Sequence, residues 1–474
     1  MRETVGDISM DPVERRPESS YKDQVLKVEP KGIEPVGPEE RHGSTWSVFT
    51  LWFAANVEFA TLVTGVLATA AFGLSFSQAL LAIAAGNLVG ATFLGWLSSY
   101  GPRYGVPQML HSRPAFGSAG NIFPALLNFI AGFSWFAVNT VLGVFALEWL
   151  LHLGFAAGLG LMVVIQVVVA VYGYNFIHSL ERYLMWVLAG IFGVVSVYGF
   201  SAAHLGQPFD AKTAGPMGLS GAFILMFAIA FSYVAGWMPY ASDYTRYLPS
   251  QTPPARINRN VFLAMFVSGV WLESLGAAIG TVKFVGTPTD LVAHLLPGPV
   301  GVAAMVAVVL GTITANVLNI YSGALSSLVM GIPMKRWAAA LVVGAAGTAV
   351  SWLAGQHNYW QHYEVFLFLL GYWIAPWLGI MTVDHLLRGD TEGLQAKSAQ
   401  SRIGIGFVAW VVAIGLSVPF MNQPSSTPSG FGFVGPFAKS HPTWGDVTYL
   451  VSFVAAAVLY WLGISLARPR RTSL

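Results

Sequence analysis

The sequence contains no cysteine and few charged residues, and each shortage excludes whole classes of protein. Without cysteine there are no disulfides, no thiolate metal sites and no cysteine nucleophiles. Charged residues make up 10% of the 474 residues, whereas soluble proteins carry about 25%. Such a chain cannot cover a water-facing globule, so a soluble enzyme, a disordered chain and a fibrous protein are excluded.

The chain is instead rich in apolar and aromatic residues, at 55% and 14%, with a mean hydropathy of +0.61. A helix crossing a bilayer needs about 20 apolar residues, because unpaired backbone polar groups are costly in hydrocarbon. We therefore predict an all-α membrane protein with about 12 transmembrane helices. The predicted spans are 46–73, 75–100, 122–151, 155–173, 183–203, 219–241, 260–282, 298–330, 337–355, 363–387, 402–420 and 446–467.

The positions of the basic residues predict the orientation of these spans. If the N-terminus is cytoplasmic, Lys212, Lys283 and Lys439 fall outside the cell, and the rest of the 24 Lys and Arg fall inside. This skew is typical of the positive-inside rule for an even number of spans. We predict a multi-pass protein of the cell (plasma) membrane with cytoplasmic N- and C-termini. Residues 1–45 are polar and predict a flexible cytoplasmic tail.

Polar side chains at bilayer depth are expensive and often functional. In the third span, Trp135 and Asn139 are four residues apart and share one helical face; the alternative is a packing Trp and a helix–helix hydrogen bond. In the sixth span, Gly236 and Pro239 flank Trp237 and predict an interrupted helix. Its exposed backbone groups are potential ligands, although a simple proline kink is the alternative.

The eighth span carries a second polar cluster. Asn316 and Asn319 share a face, and the hydroxyl of Thr314 can coordinate a cation; the alternative is that these residues bind helices together. In the first span, Glu58 must pair or take up a proton in hydrocarbon, so it is either a proton carrier or a structural acid. The histidines have no metal-ligand spacing, and no metal or cofactor is expected.

The sequence has no nucleophile elbow, no His-Glu-x-x-His and no Walker loop, which argues against an enzyme. Two indoles, several amides and no predicted Lys or Arg in the spans suit a flat, neutral ligand with a polar edge. Bases stack on aromatic rings, and Asn can both donate to and accept from a base edge.

From about Trp46 to Arg388 the chain resembles the nucleobase:cation symporter-1 family, in its purine–cytosine permease branch. The stretches that carry the resemblance are LWFAAN (51–56), GPRYGVP (101–107), RPAFG (113–117), GFSWFAVN (132–139), GYNFIHSLERY (173–183), AGW…ASDY (235–244) and GYWIAPW (371–377). The resemblance implies a LeuT-type fold with two inverted repeats of five helices and two peripheral helices. The chain then divides into the tail (1–45), a transport core (46–389) and the peripheral spans with the cytoplasmic C-terminus (390–474).

The resemblance also implies the site residues. Substrate-binding positions fall on Trp135, Asn139, Trp237, Gly236, Asn316, Asn319 and Asn56, with Asn316 the first candidate in the eighth span and Asn319 the second. Cation or proton coupling falls on Thr314, Glu58 and Gly311. Sodium-coupled members use two adjacent hydroxyls in the eighth span, but Ala315 follows Thr314 here, which favours H⁺ over Na⁺.

Together these observations predict a secondary-active importer of a purine or cytosine, coupled to a cation by alternating access. The partners expected are a small nucleobase and membrane lipid, with no nucleic acid. The alternative is a symporter of the same fold for another small solute, such as a hydantoin, allantoin, a vitamin or an amino acid, with Na⁺ as its coupling ion.

Overall fold

The computed structural model describes residues 27–282, 289, 295–296, 298–355, 359–388, 402–423 and 433–467. Within these ranges the chain is helical, and its extended pairing is limited to an isolated bridge between Asn422 and Val434. In the described part of the chain, ten helices are long and apolar enough to cross a membrane, or eleven if one bent pair counts as a single span. The predicted all-α membrane fold is confirmed.

We number the spans in chain order. They are span 1 (Thr45–Asn56 and Phe59–Ala70), span 2 (Phe76–Ser98), span 3 (Ile122–Leu151), span 4 (Phe155–Tyr172), span 5 (Tyr174–Ala202), span 6 (Gly218–Ala235), span 7 (Pro254–Ile279), span 8 (Gly298–Val329), span 9 (Arg336–Ala354), span 10 (Tyr359–Arg388), span 11 (Ile405–Ser417) and span 12 (Thr448–Ala467). Span 11 is shorter than the other eleven.

Over the described ranges, spans 1 and 6 are broken. Span 6 ends at Ala235, and a short 3₁₀ turn at Met238–Tyr240 follows. This confirms the predicted interruption, because Pro239 has no N–H with which to continue the helix. Span 1 breaks at Val57 and Glu58, where Glu58 is extended and the two halves are inclined by 54°. The sequence did not indicate this second break.

The boundary predicted for span 5 was wrong at its start. The helix begins at Tyr174 rather than at residue 183, directly after Gly173, whose φ of 87° permits a sharp turn from span 4. Glu181 and Arg182 indicated a loop, but Glu181 lies inside the helix and is fully buried.

The helices approach one another most closely where glycine replaces a side chain. A Cβ on Gly65 would lie 1.8 Å from the carbonyl oxygen of Glu273, and one on Gly276 would lie 1.9 Å from that of Leu62. Spans 1 and 7 therefore contact each other through their backbones, as small residues allow in membranes. Span 3 packs along span 8, span 2 packs on spans 6 and 7, and span 12 packs on spans 10 and 11.

The segment before span 1 corrects the prediction of a flexible tail over residues 1–45. Residues 27–44 pack against the helices, and the side chain of Glu29 is buried between Arg246 and Arg336. Its oxygens also accept hydrogen bonds from the hydroxyls of Tyr247 and Tyr321. The reason is charge pairing, since the carboxylate of this segment forms ion pairs with two guanidinium groups that are themselves buried. Residues 1–26 lie outside the described residues.

Candidate functional site

The two indoles singled out in the sequence both lie inside the helix bundle. Trp135 of span 3 and Trp237 at the break of span 6 are each 4% exposed, so neither points into lipid. A Cβ on Gly236 would lie 3.1 Å from Nε1 of Trp135. The break in span 6 therefore meets the middle of span 3, and the glycine leaves room for the indole.

Each indole packs roughly perpendicular to further aromatic rings. The ring of Trp135 lies 5.0 Å from that of Phe366 and 5.5 Å from that of Tyr233, centroid to centroid. The ring of Trp237 lies 5.8 Å from those of Trp52 and Tyr240. These T-shaped contacts between aromatic rings fix the orientation of each indole inside the bundle.

Three asparagines from two spans form one hydrogen-bonded group. Nδ2 of Asn139 and Nδ2 of Asn319 both donate to Oδ1 of Asn316, each over 3.3 Å. Asn316 in turn donates to the carbonyl of Phe136 and, at 3.0 Å, to the hydroxyl of Thr140. Asn316 is thus fully engaged with the protein, whereas Asn139 and Asn319 each use only their amide nitrogen.

Several polar atoms around these side chains are buried and lack a hydrogen-bond partner among the described residues. Two are acceptors, Oδ1 of Asn139 and Oδ1 of Asn319; two can donate, the hydroxyl of Tyr240 and Nε1 of Trp52. Buried polar groups are nearly always paired in folded proteins, so unpaired ones indicate a missing ligand or water. A Cβ on Gly132 would lie 3.0 Å from the backbone carbonyl oxygen of Asn319 and 3.5 Å from the hydroxyl of Tyr240, so that hydroxyl lies between spans 3 and 8.

Asn56 is not brought to this group. Its amide nitrogen donates to the hydroxyl of Ser268 in span 7 over 2.8 Å, and its backbone carbonyl accepts from Thr61. The structure therefore places Asn56 between spans 1 and 7, where it fixes the end of the first half of span 1.

The residues expected for cation coupling lie together at the break of span 1. The hydroxyl of Thr314 is 2.7 Å from the carbonyl oxygen of Gly311 and 3.4 Å from that of Ala54. A Cβ on Gly311 would lie 3.2 Å from Cα of Glu58 and 3.4 Å from the carbonyl oxygen of Val57. Carbonyl oxygens from an unwound helix and a nearby hydroxyl are the donor set that transporters use for Na⁺ or H⁺.

Glu58 lies at the same break and is fully buried. The hydroxyl of Tyr233 donates to its Oε1 over 3.1 Å, and Thr61 lies 2.7 Å from that hydroxyl. The other oxygen, Oε2, has no hydrogen-bond partner in the described part of the chain. A carboxyl with one fixed and one unsatisfied oxygen at this depth is suited to holding a proton.

Sequence reasoning did not select several members of the site. Trp52 and Tyr240 look like ordinary aromatic residues of apolar stretches, and only the fold shows that both rings pack against Trp237. Gln166 gave a usable signal, since it is the one amide in the otherwise apolar span 4; it accepts from Thr140 and from Asn316.

The described residues do not form a metal centre. Over those ranges no three His, Asp or Glu side chains approach closely enough to hold a metal ion. Burial lowers the pKa of His111, in the loop between spans 2 and 3, to about 3, so its imidazole is neutral at pH 7.

Comparison with known proteins identifies relatives over nearly the whole chain. Residues 35–451 match the family model described as permease for cytosine/purines, uracil, thiamine, allantoin. YxlA of Bacillus subtilis, which carries the name of a purine-cytosine permease, is 30% identical over 466 residues, covering 94% of this chain and 97% of YxlA. The purine-cytosine permease fcyB of Emericella nidulans is 29% identical, covering 92% and 88% of the two chains.

A solved structure has the same fold. It is Mhp1, a nucleobase-cation-symport-1 family transporter, in a closed conformation with bromovinylhydantoin bound. The TM-score is 0.74 at 19% identity, covering 93% of this chain and 95% of Mhp1.

Proposed function

The chain belongs to the family of permeases for cytosine, purines, uracil, thiamine and allantoin, and on that premise we propose that it imports a purine or cytosine together with a proton. It is a multi-pass membrane transporter. The skew of Lys and Arg towards one side supports cytoplasmic termini in the cell membrane. Import is then movement towards the side on which the N-terminal segment lies.

The observation that carries the proposed substrate is the set of unpaired polar atoms beside the two indoles. A nucleobase offers two flat faces and an edge with both donors and acceptors. Stacking on an aromatic ring stabilises a base by about 1–3 kcal/mol. Along the edge, Oδ1 of Asn139 and Oδ1 of Asn319 would accept from the base, while Tyr240 and Trp52 would donate to it. The site needs no positively charged side chain to bind the base, because a nucleobase ring carries no net charge.

The proposed coupling ion is a proton, held at the break of span 1. Glu58 supports this, because its Oε2 is buried and unpaired in the described residues. Thr314, Gly311 and the carbonyls of Ala54 and Val57 support the second candidate, a Na⁺-coupled symporter for a hydantoin, allantoin, a vitamin or an amino acid. Ala315 argues against Na⁺, because it has no hydroxyl with which to complete that set of cation ligands.

The experiment is uptake by cells or proteoliposomes carrying the protein. We expect labelled adenine or cytosine to accumulate under an inward proton gradient, to be displaced by the other bases, and to continue when external sodium is replaced by choline. Displacement by hydantoin, allantoin or pyridoxine in preference to the bases would contradict the substrate, and loss of uptake in choline would contradict the ion.

One substitution links this uptake to the indoles. Trp135→Ala removes a stacking surface and should abolish uptake while the protein remains in the membrane. The matched control is Trp149→Ala, on the same helix but with a partly exposed side chain, and it should transport normally. Normal transport by Trp135→Ala would remove this indole from the site.

A further inference from the structure

Glu181 is the most unusual buried group outside the site described above. It lies in span 5, is fully buried, and has no hydrogen-bond partner for either carboxylate oxygen among the described residues. Nor does any Lys or Arg of those residues form an ion pair with it. Burying an unpaired carboxylate is far more costly than burying a neutral acid. The group therefore spends part of its time protonated.

Glu58, at the break of span 1, is a second buried acid, and its Oε2 likewise has no hydrogen-bond partner among the described residues. Span 1 packs directly on span 5, as do spans 4, 7 and 8. Those other helices carry few ionisable groups: Tyr172 in span 4, Arg256, Arg259 and Glu273 in span 7, and Tyr321 in span 8. None of these groups forms an ion pair with Glu181 in the described residues, and an apolar setting without a cation favours the neutral acid.

From Glu181 a line of ionisable groups leads towards the N-terminal segment. His178 is three residues earlier, on the same face of span 5, with its ring 4.3 Å from that of Tyr174. His42 of the N-terminal segment packs against the same Tyr174, with ring centroids 5.5 Å apart, and is only half-buried. Its Nε2 lies 2.7 Å from Oδ1 of Asn175. Glu58 is deep in the bundle, whereas His42 borders solvent.

We propose that Glu181 is a second proton-binding residue of the transport cycle, in addition to Glu58, and that it exchanges its proton with the side of the N-terminal segment by way of His178 and His42. This inference rests on the proposed proton coupling. Each step is a proton transfer from an acid to a base: as the carboxyl of Glu181 loses its proton the imidazole of His178 gains it, His178 then gives a proton to His42, and no oxidation or reduction is involved.

The test is Glu181→Gln in proteoliposomes, because an amide keeps the shape of the side chain but cannot ionise. Accumulation of labelled adenine under a proton gradient should be lost, together with adenine-dependent alkalinisation of the medium. Exchange of internal for external adenine without a gradient should persist, since it needs no net proton movement. Glu273→Gln is the matched control: this buried acid accepts from Asn87 over 2.8 Å, which an amide oxygen can also do, so its coupling should be unchanged.

Gradient-driven accumulation by Glu181→Gln at the wild-type level would overturn the proposal, and so would loss of exchange, which would make Glu181 structural. If Glu181→Gln does not fold, His178→Gln takes its place and should slow accumulation and shift its pH profile; an unaltered profile would likewise overturn the relay. If uptake by the wild-type protein did not respond to the proton gradient, that result would instead refute proton coupling itself. Failure of the role proposed for Glu181 and failure of proton coupling are therefore distinguishable.

Discussion

Asn316 and Asn319 lie one helical turn apart on span 8, but their amides have different tasks. Asn316 accepts from two asparagines and donates to spans 3 and 4, so its bonds hold helices together. Asn319 leaves its Oδ1 unpaired in the described residues. Of the two, Asn319 is the better candidate for reading the substrate, which reverses the order that the resemblance implied.

Paired substitutions should separate these tasks. Asn319→Ala should leave thermal stability nearly unchanged and weaken adenine binding by about 1–3 kcal/mol, the range for a good amide–base contact. Asn316→Ala should lower the free energy of unfolding by about 1–3 kcal/mol for each buried group left unpaired. Thermal melting in detergent and quenching of tryptophan fluorescence by adenine measure the two effects. A stable Asn316→Ala protein with lost binding would restore the original order.

At the scale of single elements, the two broken helices differ in how far their sequences reveal them. Gly236 and Pro239 predict the break in span 6, because a proline cannot donate the hydrogen bond that continues a helix. Residues 51–60 contain neither glycine nor proline, so the break at Val57 and Glu58 depends on contacts with other spans. Gly311 is one of them, since it lets span 8 touch the extended backbone.

Elsewhere too, the sequence predicts features that depend on neighbouring residues, but not those that depend on contacts between distant spans. Apolar runs locate the spans, and a separation of four residues places Trp135 and Asn139 on one face. Which amide atoms remain free depends on partners far away in the chain, such as Gln166 for Asn316. The start of span 5 was missed because Glu181 and Arg182 are charged, and composition cannot reveal that a carboxyl is buried.

Gly311→Val tests the contact between span 8 and the break of span 1. A Cβ alone would lie 3.2 Å from Cα of Glu58, so the larger side chain should push the break away and abolish coupled uptake. Gly193→Val in span 5 is the control, because nothing lies within 4 Å of a Cβ there. Uptake by Gly311→Val equal to that of the control would show that the close approach is not required.

At the scale of the whole molecule, the N-terminal segment closes a network between distant parts of the chain. Glu29 lies between Arg246, which follows span 6, and Arg336 at the start of span 9, and it accepts from Tyr321 of span 8. The sequence could not predict this, because a polar, Pro-rich stretch resembles a disordered tail. Only the fold shows two buried guanidinium groups that need a carboxylate.

Removing that carboxylate should be costly. Glu29→Ala leaves both guanidinium groups without their acidic partner, and breaking a buried pair in this way lowers stability by about 3–5 kcal/mol. Thermal melting of the purified protein should show a large drop, whereas Glu39→Ala, an exposed acid of the same segment, should melt like the wild type. Equal melting of the two variants would mean that the network adds nothing to stability.

Because the asparagines have different roles, the substrate preference of such a protein can change separately from its stability. Asn316 holds three helices together, whereas the unpaired oxygens proposed to bind the ligand belong to Asn139 and Asn319. Mutations at positions 139, 240 and 319 can therefore alter which molecule is accepted while the scaffold remains intact. Diversification of preference among descendants of this gene should concentrate at those three places and spare position 316.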